Sequence, residues 1–170
     1  MNNKMEEMRV GVLKIGLLDL IMELPSHLIM VEIGCFKGES TELFLNSGKV
    51  LRLYAVDTWR SGRFRQAEVL FDKRFKDSKE RGKIKKLRMT MSEAIPFLPK
   101  VNFVYIDGDH TYEWVKKDIT NSLRILRKGG ILAGHDYVNR GNVGVIQAVN
   151  EMVGVPDKIY KDSSWLKLIV

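Results

Sequence analysis

Leu28-Ile29-Met30-Val31-Glu32-Ile33-Gly34-Cys35-Phe36-Lys37-Gly38-Glu39-Ser40-Thr41 passes from an apolar run, through a turn holding two glycines, into a polar segment that opens the helix Glu42 to Asn46. An apolar run of this length without alternation is the mark of a strand buried on both faces, as in a parallel sheet. Comparable runs follow at Val50 to Val56, Ile84 to Met89, Val101 to Ile106 and Gly130 to Ala133, and helical patterns separate them. The clearest of those has Tyr112, Val115, Ile119, Leu123 and Leu126 on one face; it predicts a helix from Tyr112 to Arg127, closed by Lys128-Gly129-Gly130. A later helix uses Ile146, Val149 and Val153. Before the first strand, Val10, Leu13, Leu17, Leu20 and Leu24 describe one face of an N-terminal helix ending near Pro25. Strands alternating with helices imply right-handed crossovers and a doubly wound α/β sheet. The end breaks the rhythm: Lys158 to Tyr160 and Trp165 to Val170 are joined by too few residues for a crossover helix and must pair as an antiparallel hairpin.

The chain reads as a single domain over 1–170, with no repeat or linker, and 1–25 as the segment that precedes the sheet. Its 45% hydrophobic content is that of a folded globule. The single cysteine, Cys35, excludes an intrachain disulfide and points to a reducing cytoplasmic setting. Lys14, Asp19 and Glu23 interrupt the most apolar stretch, Val10 to Leu24, which excludes a membrane span, and Glu6 and Glu7 argue against a secretory leader.

In an open α/β sheet the ligand lies beyond the carboxyl ends of the strands, where strand order reverses. After the first strand, Gly34 and Gly38 allow a tight turn and a close backbone approach, and the helix start offers free N–H groups to an anion. The G-x-G-x-x-G of a dinucleotide site is absent. Glu32 in the strand end disfavours a pyrophosphate and suits an ammonium group. Asp57, 25 residues later, ends the second strand, where a ribose diol is commonly hydrogen-bonded. Together the two acids favour a cationic nucleoside. The fourth strand ends in Asp107-Gly-Asp109-His110 and the fifth in Gly134-His135-Asp136-Tyr137, which sets ionisable groups at neighbouring strand ends of one crevice.

Val31-Glu-Ile-Gly-Cys-Phe-Lys-Gly-Glu-Ser-Thr41 resembles the first motif of class I S-adenosylmethionine-dependent methyltransferases, especially the catechol and caffeoyl-CoA types, which read E-x-G-x-Y/F-x-G-x-S. Ile106-Asp-Gly-Asp-His-Thr-Tyr112 and Gly129-Gly-Ile-Leu-Ala-Gly-His-Asp-Tyr137 are similar to methyltransferase family 24 and the macrocin-type sugar O-methyltransferases. The resemblance runs from about Leu28 to Met152. It implies a seven-stranded sheet of order 3-2-1-4-5-7-6, an antiparallel strand beside the fifth, and S-adenosylmethionine as cofactor.

Carried over, it places Glu32, Gly34, Phe36, Gly38 and Ser40 around the methionine end of the cofactor, Asp57 on the ribose, and Met91 and Ser92 at the adenine, with Ser92 also a candidate start for a helix Glu93 to Leu98. Asp107 stands at the reacting end. In the catechol and macrocin types a divalent metal is held after the fourth and fifth strands; the matching positions are Asp107, His135 and Asp136. His135 stands where the family has a carboxylate, a donor set suited less to magnesium than to manganese, iron or zinc. His110 takes the place of the catalytic lysine of the catechol type and is a candidate base.

The acceptor implied is a small polar or sugar-like molecule. Two rival readings are a nucleic-acid methyltransferase and a cofactor-binding protein without chemistry. Against the first, the Asn/Asp-Pro-Pro-aromatic motif of base methylation is absent, and against the second stand Asp107, His110, His135 and Asp136. The first helix is free to pack on its own sheet or on a second subunit of a homo-oligomer. The net charge of +7 is local: residues 60–88 hold twelve Lys/Arg against four Asp/Glu, an excess of eight. The stretch from Glu68 to Lys86 reads as a solvated helix face. Arg60, Arg63 and Arg65 are candidates for a lid that attracts an acidic acceptor.

Overall fold

A computed structural model describes residues 15–60, 62–139 and 143–170. Val10 and Leu13 of the expected first helix lie outside the described residues. Its remainder forms α1 (15–23), which buries Leu17, Leu20, Ile21 and, just past its end, Leu24. Then follow β1 (Leu28–Ile33), α2 (Glu39–Asn46), β2 (Val50–Asp57), α3 (Arg63–Phe75), β3 (Ile84–Arg88), α4 (Met91–Ala94), β4 (Val101–Ile106), α5 (Tyr112–Ile125), β5 (Leu126–Gly134), α6 (Val143–Val153), β6 (Lys158–Ile159) and β7 (Trp165–Leu168). Among the described residues the sheet runs β3-β2-β1-β4-β5-β7-β6, with β7 antiparallel to both β5 and β6 and the other pairings parallel. Fold class, strand order and closing hairpin are as the sequence predicts. No described helix is long and apolar enough to cross a membrane.

Alternation along the central strands divides the core in two. Phe103 and Tyr105 of β4 join Leu20, Phe44, Trp59 and Phe71 on the face covered by α1, α2 and α3. Val104 and Ile106 join Met91, Ile119, Val149 and Trp165 on the face covered by α4, α5 and α6. Phe44 of α2 meets the rings of Phe103 and Tyr105 edge-on, at 5.6 and 5.1 Å between centroids, a geometry favoured by ring quadrupoles. At the open edge, β3 carries Lys85, Lys86 and Arg88, charges that discourage pairing with another chain.

Several boundaries differ from the sequence reading. α5 stops at Ile125, and β5 begins at Leu126 without a loop. Lys128-Gly129-Gly130 is not a helix cap: it forms an irregularity within β5, between the Val101–Leu126 and Phe103–Ile131 pairs. There Gly129, at φ 74°, donates to Ile169 O, and Gly130 O accepts from Ile169 N, each at 2.9 Å. The glycine signal was real, but pairing with the terminal strand claimed it. α2 starts at Glu39 rather than Glu42, with Gly38 as its left-handed cap. The short helix after β3 starts at Met91, not Glu93. Its cap is Thr90, whose Oγ1 accepts from Glu93 N while the Glu93 carboxylate accepts from Thr90 N, a capping box that displaces Ser92 from the expected helix start. The expected solvated helix face ends early: α3 stops at Phe75, and Lys85 and Lys86 belong to β3.

Phe44 is fully buried and touches two strands from one helix. Phe44→Ala should cost about 3–5 kcal/mol in denaturant unfolding; a loss below about 1 kcal/mol would show that α2 does not pack on the sheet as described.

Candidate functional site

The neighbours of β1, β2 and β4, leave by crossovers to opposite sides, so their carboxyl ends open a crevice. Gly34 N donates to Val56 O at 2.9 Å and Asp107 N to Ile33 O at 2.8 Å, which keeps the three strands paired to their ends. Gly34 then turns at φ 86°, and a Cβ there would overlap the Asp107 carbonyl. Beyond these ends lies a cavity of about 1050 Å³.

Its wall includes Gly34, Phe36, Asp57, Met91, Asp107 and His110 from the sequence-derived set. Glu32, Gly38, Ser40, Ser92, His135 and Asp136 stand outside the lining. Glu32 is wholly buried; its carboxylate accepts from Ser40 Oγ and, at 2.5 Å, from Thr41 Oγ1, which fastens the first turn of α2 to β1. Burial, opposed by those hydroxyls, pushes its pKa up to about 7. Gly38 has Phe71 and Phe75 of α3 where a Cβ would project, so helix packing accounts for this glycine. Ser92 Oγ accepts from Asn121 Nδ2 at 2.9 Å and joins α4 to α5.

Asp57 ends β2 with its carboxylate fixed from behind: Oδ2 accepts from Phe36 N and Oδ1 from Trp59 N, both at 2.9 Å. Both donors have positive φ, 46° and 41°, a conformation that costs a non-glycine residue on the order of 1–3 kcal/mol. Trp59 Nε1 also donates to Phe36 O at 2.9 Å, so the two strained turns brace each other around Asp57.

At the opposite side, Asp107, His110 and Asp136 bring one ligating atom each within 4.8 Å of one another. His110 Nε2 is 3.5 Å from Asp107 Oδ1 and 3.2 Å from Asp136 Oδ2, and it is buried without hydrogen-bond geometry to either. Contact with Asp107 and the charge of Asp136 raise the His110 pKa against the effect of burial; burial raises the Asp107 carboxyl, opposed by the two imidazoles. The expected trio of Asp107, His135 and Asp136 thus gives way to one containing His110. His135 turns to the rear: Nδ1 is 3.1 Å from Asp136 Oδ2, and Nε2 is 4.0 Å from the buried Asp162. Burial lowers the His135 pKa, but its bond to Asp136 and the surrounding carboxylates outweigh that and push it up to about 9.

Sequence reasoning missed Asp118, Trp114, Thr90 and Phe64 in the wall. Asp118 left a signal, an acid among Val115, Ile119, Ser122 and Ile125 on the buried face of α5. Of the basic segment, Arg60 lines the cavity and lies 3.9 Å from Glu93, Arg65 is exposed, and the side chain of Arg63 lies outside the described residues. Much of the rest is paired: Lys86 with Glu68 and Asp72, Arg74 with Glu39 and Glu42, Lys83 with Glu80.

Residues 31–137 match the model of a methyltransferase-domain family. An uncharacterized protein, R132, of Acanthamoeba polyphaga mimivirus is 31% identical over 133 residues, 74% of this chain; the chain spans 59% of that relative's length. Among solved structures, the O-methyltransferase TomG from Streptomyces achromogenes, in complex with SAM, aligns with a TM-score of 0.63 at 14% identity, covering 93% of this chain and 79% of its own. A putative rRNA-methylase from Clostridium thermocellum aligns at 0.65 and 16% identity, covering 88% and 91%. These structural likenesses share the fold.

The Glu32 shift has a signed consequence. A carboxyl whose folded pKa stands above its unfolded value of 4.5 favours the folded state most below that value, and this contribution is lost as pH rises from about 4.5 to about 7. Glu32→Gln, which mimics the protonated form, should therefore gain thermal stability relative to the parent as pH rises through that window. A constant difference across it would show that Glu32 is not protonated on folding.

Proposed function

We propose that this chain, which belongs to the methyltransferase-domain family, is an S-adenosylmethionine-dependent methyltransferase that methylates an oxygen of a small polar or sugar-like acceptor. The observation that carries this reading is the Asp107–His110–Asp136 group, set at the ends of β4 and β5 across the crevice from Asp57. We further read the 170 residues as one methyltransferase domain. A reducing, cytoplasmic setting accords with Cys35, which is buried and whose thiol pKa burial drives well up.

The residues present suit the cofactor. The cavity has room for a nucleoside and an acceptor, the Asp57 carboxylate is braced at one side of it, and the Gly34 turn allows close backbone approach. When bound, S-adenosylmethionine supplies an electrophilic methyl group, whose transfer to an oxygen releases S-adenosylhomocysteine and one proton. Asp57 would accept hydrogen bonds from the ribose hydroxyls. Asp107, whose carboxyl pKa is raised by burial, would stand beside the reacting end of the cofactor. His110 is placed to take the acceptor's proton at Nε2, and Asp107 and Asp136 would stabilise the resulting imidazolium.

The same three side chains suit a divalent metal, since the buried Nε2 of His110 faces two carboxylates without a hydrogen bond to either. One imidazole with two carboxylates favours manganese, iron or zinc over magnesium, and a metal there would lower the pKa of an acceptor hydroxyl. Two uses thus compete for the His110 Nε2, and chelation separates them. The ion pairs within the basic segment support a small acceptor over a nucleic acid, because they leave fewer cations for a phosphate backbone.

S-adenosylmethionine should bind the protein in calorimetry, and Asp57→Ala should weaken it by roughly tenfold to a hundredfold, the worth of a hydrogen bond to a charged group. Absence of binding at millimolar cofactor would overturn the reading. Incubation with cofactor and a panel of hydroxylated metabolites, followed by mass spectrometry, should yield a product heavier by one methylene whose ether link resists acid; a methylated amine alone would refute O-methylation. With that acceptor, His110→Gln should lower turnover by about a hundredfold or more while cofactor affinity changes little, and an unchanged rate would remove His110 from the chemistry. Treatment with EDTA that leaves turnover unchanged would assign His110 to proton transfer; loss restored by manganese would assign it to the metal.

A further inference from the structure

Asp162, in the turn between β6 and β7, is a carboxylic acid that nothing in the mechanism above uses. Its side chain is wholly buried, and removing a carboxylate from water is costly unless its oxygens are satisfied. The turn satisfies them: Oδ1 accepts from Ser164 N at 2.9 Å and Oδ2 from Ser164 Oγ at 3.1 Å. Two further elements hem the group in. Gly16 of α1 has Asp162 Oδ1 2.1 Å from where a Cβ would sit, and Tyr105 of β4 places its hydroxyl 3.3 Å from Ser164 Oγ.

What lies in front of this acid gives its placement a use. Asp162 Oδ2 is 4.0 Å from His135 Nε2, and the other ring nitrogen, Nδ1, is 3.1 Å from Asp136 Oδ2. That same Asp136 oxygen is 3.2 Å from His110 Nε2. At 4.0 Å the first contact is electrostatic rather than a hydrogen bond; it attracts one nitrogen edge of the ring and thereby aims the other at Asp136. The backbone is fixed in parallel. His135 N donates to Ile106 O at the end of β4, and Tyr137 N donates to Ser163 O in the hairpin turn, both at 3.0 Å. Asp136, at φ 60° between these anchors, is thus held through side chain and backbone by the turn that carries Asp162. A line of contacts runs from Asp162 through His135 and Asp136 to His110 in the cavity wall.

On the reading that Asp107, His110 and Asp136 carry out the methyl-transfer chemistry, we propose that Asp162 is a positioning residue that acts through His135 to hold the Asp136 carboxylate toward His110. His135 thereby has a task other than the metal ligation its sequence position implies, since its ring lies behind the Asp107–His110–Asp136 group. The arrangement serves both uses of His110. A base needs a carboxylate fixed beside the imidazolium it becomes, and a metal needs a ligating carboxylate whose rotation is set by a neighbouring hydrogen bond. The closing hairpin, which completes the sheet, is in this way also part of the site.

A double-mutant cycle with two readouts tests this. The chain has three histidines, and His27, which precedes β1 at the far end of the sheet, serves as internal reference. In nitrogen NMR spectra of the imidazole rings, the isosteric Asp162→Asn, or Asp162→Ser if that chain does not fold, should move the His135 and His110 signals and leave those of His27. With His135→Phe as background, or His135→Gln if that chain does not fold, the His110 signal should no longer respond to the change at Asp162. In methyl transfer to an acceptor drawn from the hydroxylated panel, Asp162→Asn should lower turnover roughly tenfold to a hundredfold and cost nothing further once His135 is replaced. Its affinity for S-adenosylhomocysteine should stay within about twofold of the parent's. A role confined to folding the hairpin would act alike in both backgrounds. A His110 signal that ignores the change at Asp162 in the parent, or responds equally once His135 is replaced, would overturn the proposal and leave the methyltransferase reading in place. Ring signals coupled as described in a protein that neither binds S-adenosylhomocysteine nor transfers methyl groups would uphold the positioning of Asp136 and overturn the methyltransferase reading.

Discussion

The close approach of Gly34 to the Asp107 carbonyl is the constraint on which the site depends. Any side chain at Gly34 would force β1 and β4 apart where they must open the crevice, and φ 86° is a conformation that glycine adopts without strain. Because these strands stay paired to their last residues, Asp57 and Asp107 emerge on opposite sides of one cavity at fixed separation. The Glu32 carboxylate secures the same junction from beneath, since Ser40 and Thr41 can satisfy it only if α2 starts directly behind the turn. Glu32 thereby anchors the turn between β1 and α2.

Strain is concentrated at this rim. Phe36, Trp59 and Asp136 are non-glycine residues at positive φ, and each adjoins a carboxylate of the site or carries one. The rest of the sheet repays that cost: Trp59 and Trp165 are among its largest fully buried side chains, and the apolar layers on both faces hold the strand ends rigid. On the proposed reading, binding and chemistry divide between two sides of the cavity, with β2 and α4 on one and β4 and β5 on the other.

The strand order was legible because unbroken apolar runs such as Val101 to Ile106 carry a strong signal, and the short link from Lys158 to Trp165 leaves only antiparallel pairing. Ends of elements were less legible. Leu126 continues the apolar face of α5 and equally begins a strand, and only pairing with Val101 decides between the two. Ser92 and Thr90 are both capable helix caps, and the reciprocal bond with Glu93 selects Thr90. In the site, Asp57, Asp107 and His110 could be read from the sequence because they end or follow strands, and all three line the cavity. That His110 rather than His135 lies with Asp107 and Asp136 could not be read, because it depends on the course of the chain after β5, where Asp136 has φ 60° and His135 Nε2 lies 4.0 Å from Asp162 Oδ2. Asp118 lies within a helix, where residues beyond the strand ends are not sought.

The claim at the centre is spatial: one cavity holds the nucleoside between Asp57 and α4 and presents its reacting end to Asp107 and His110. A crystal structure of the protein with S-adenosylhomocysteine tests it most directly. Ribose hydroxyls within hydrogen-bond distance of the Asp57 carboxylate, with the sulfur beside Gly34 and Asp107, are expected. A ligand lying in the reverse sense, with its base at His110, or bound outside this crevice, would contradict it.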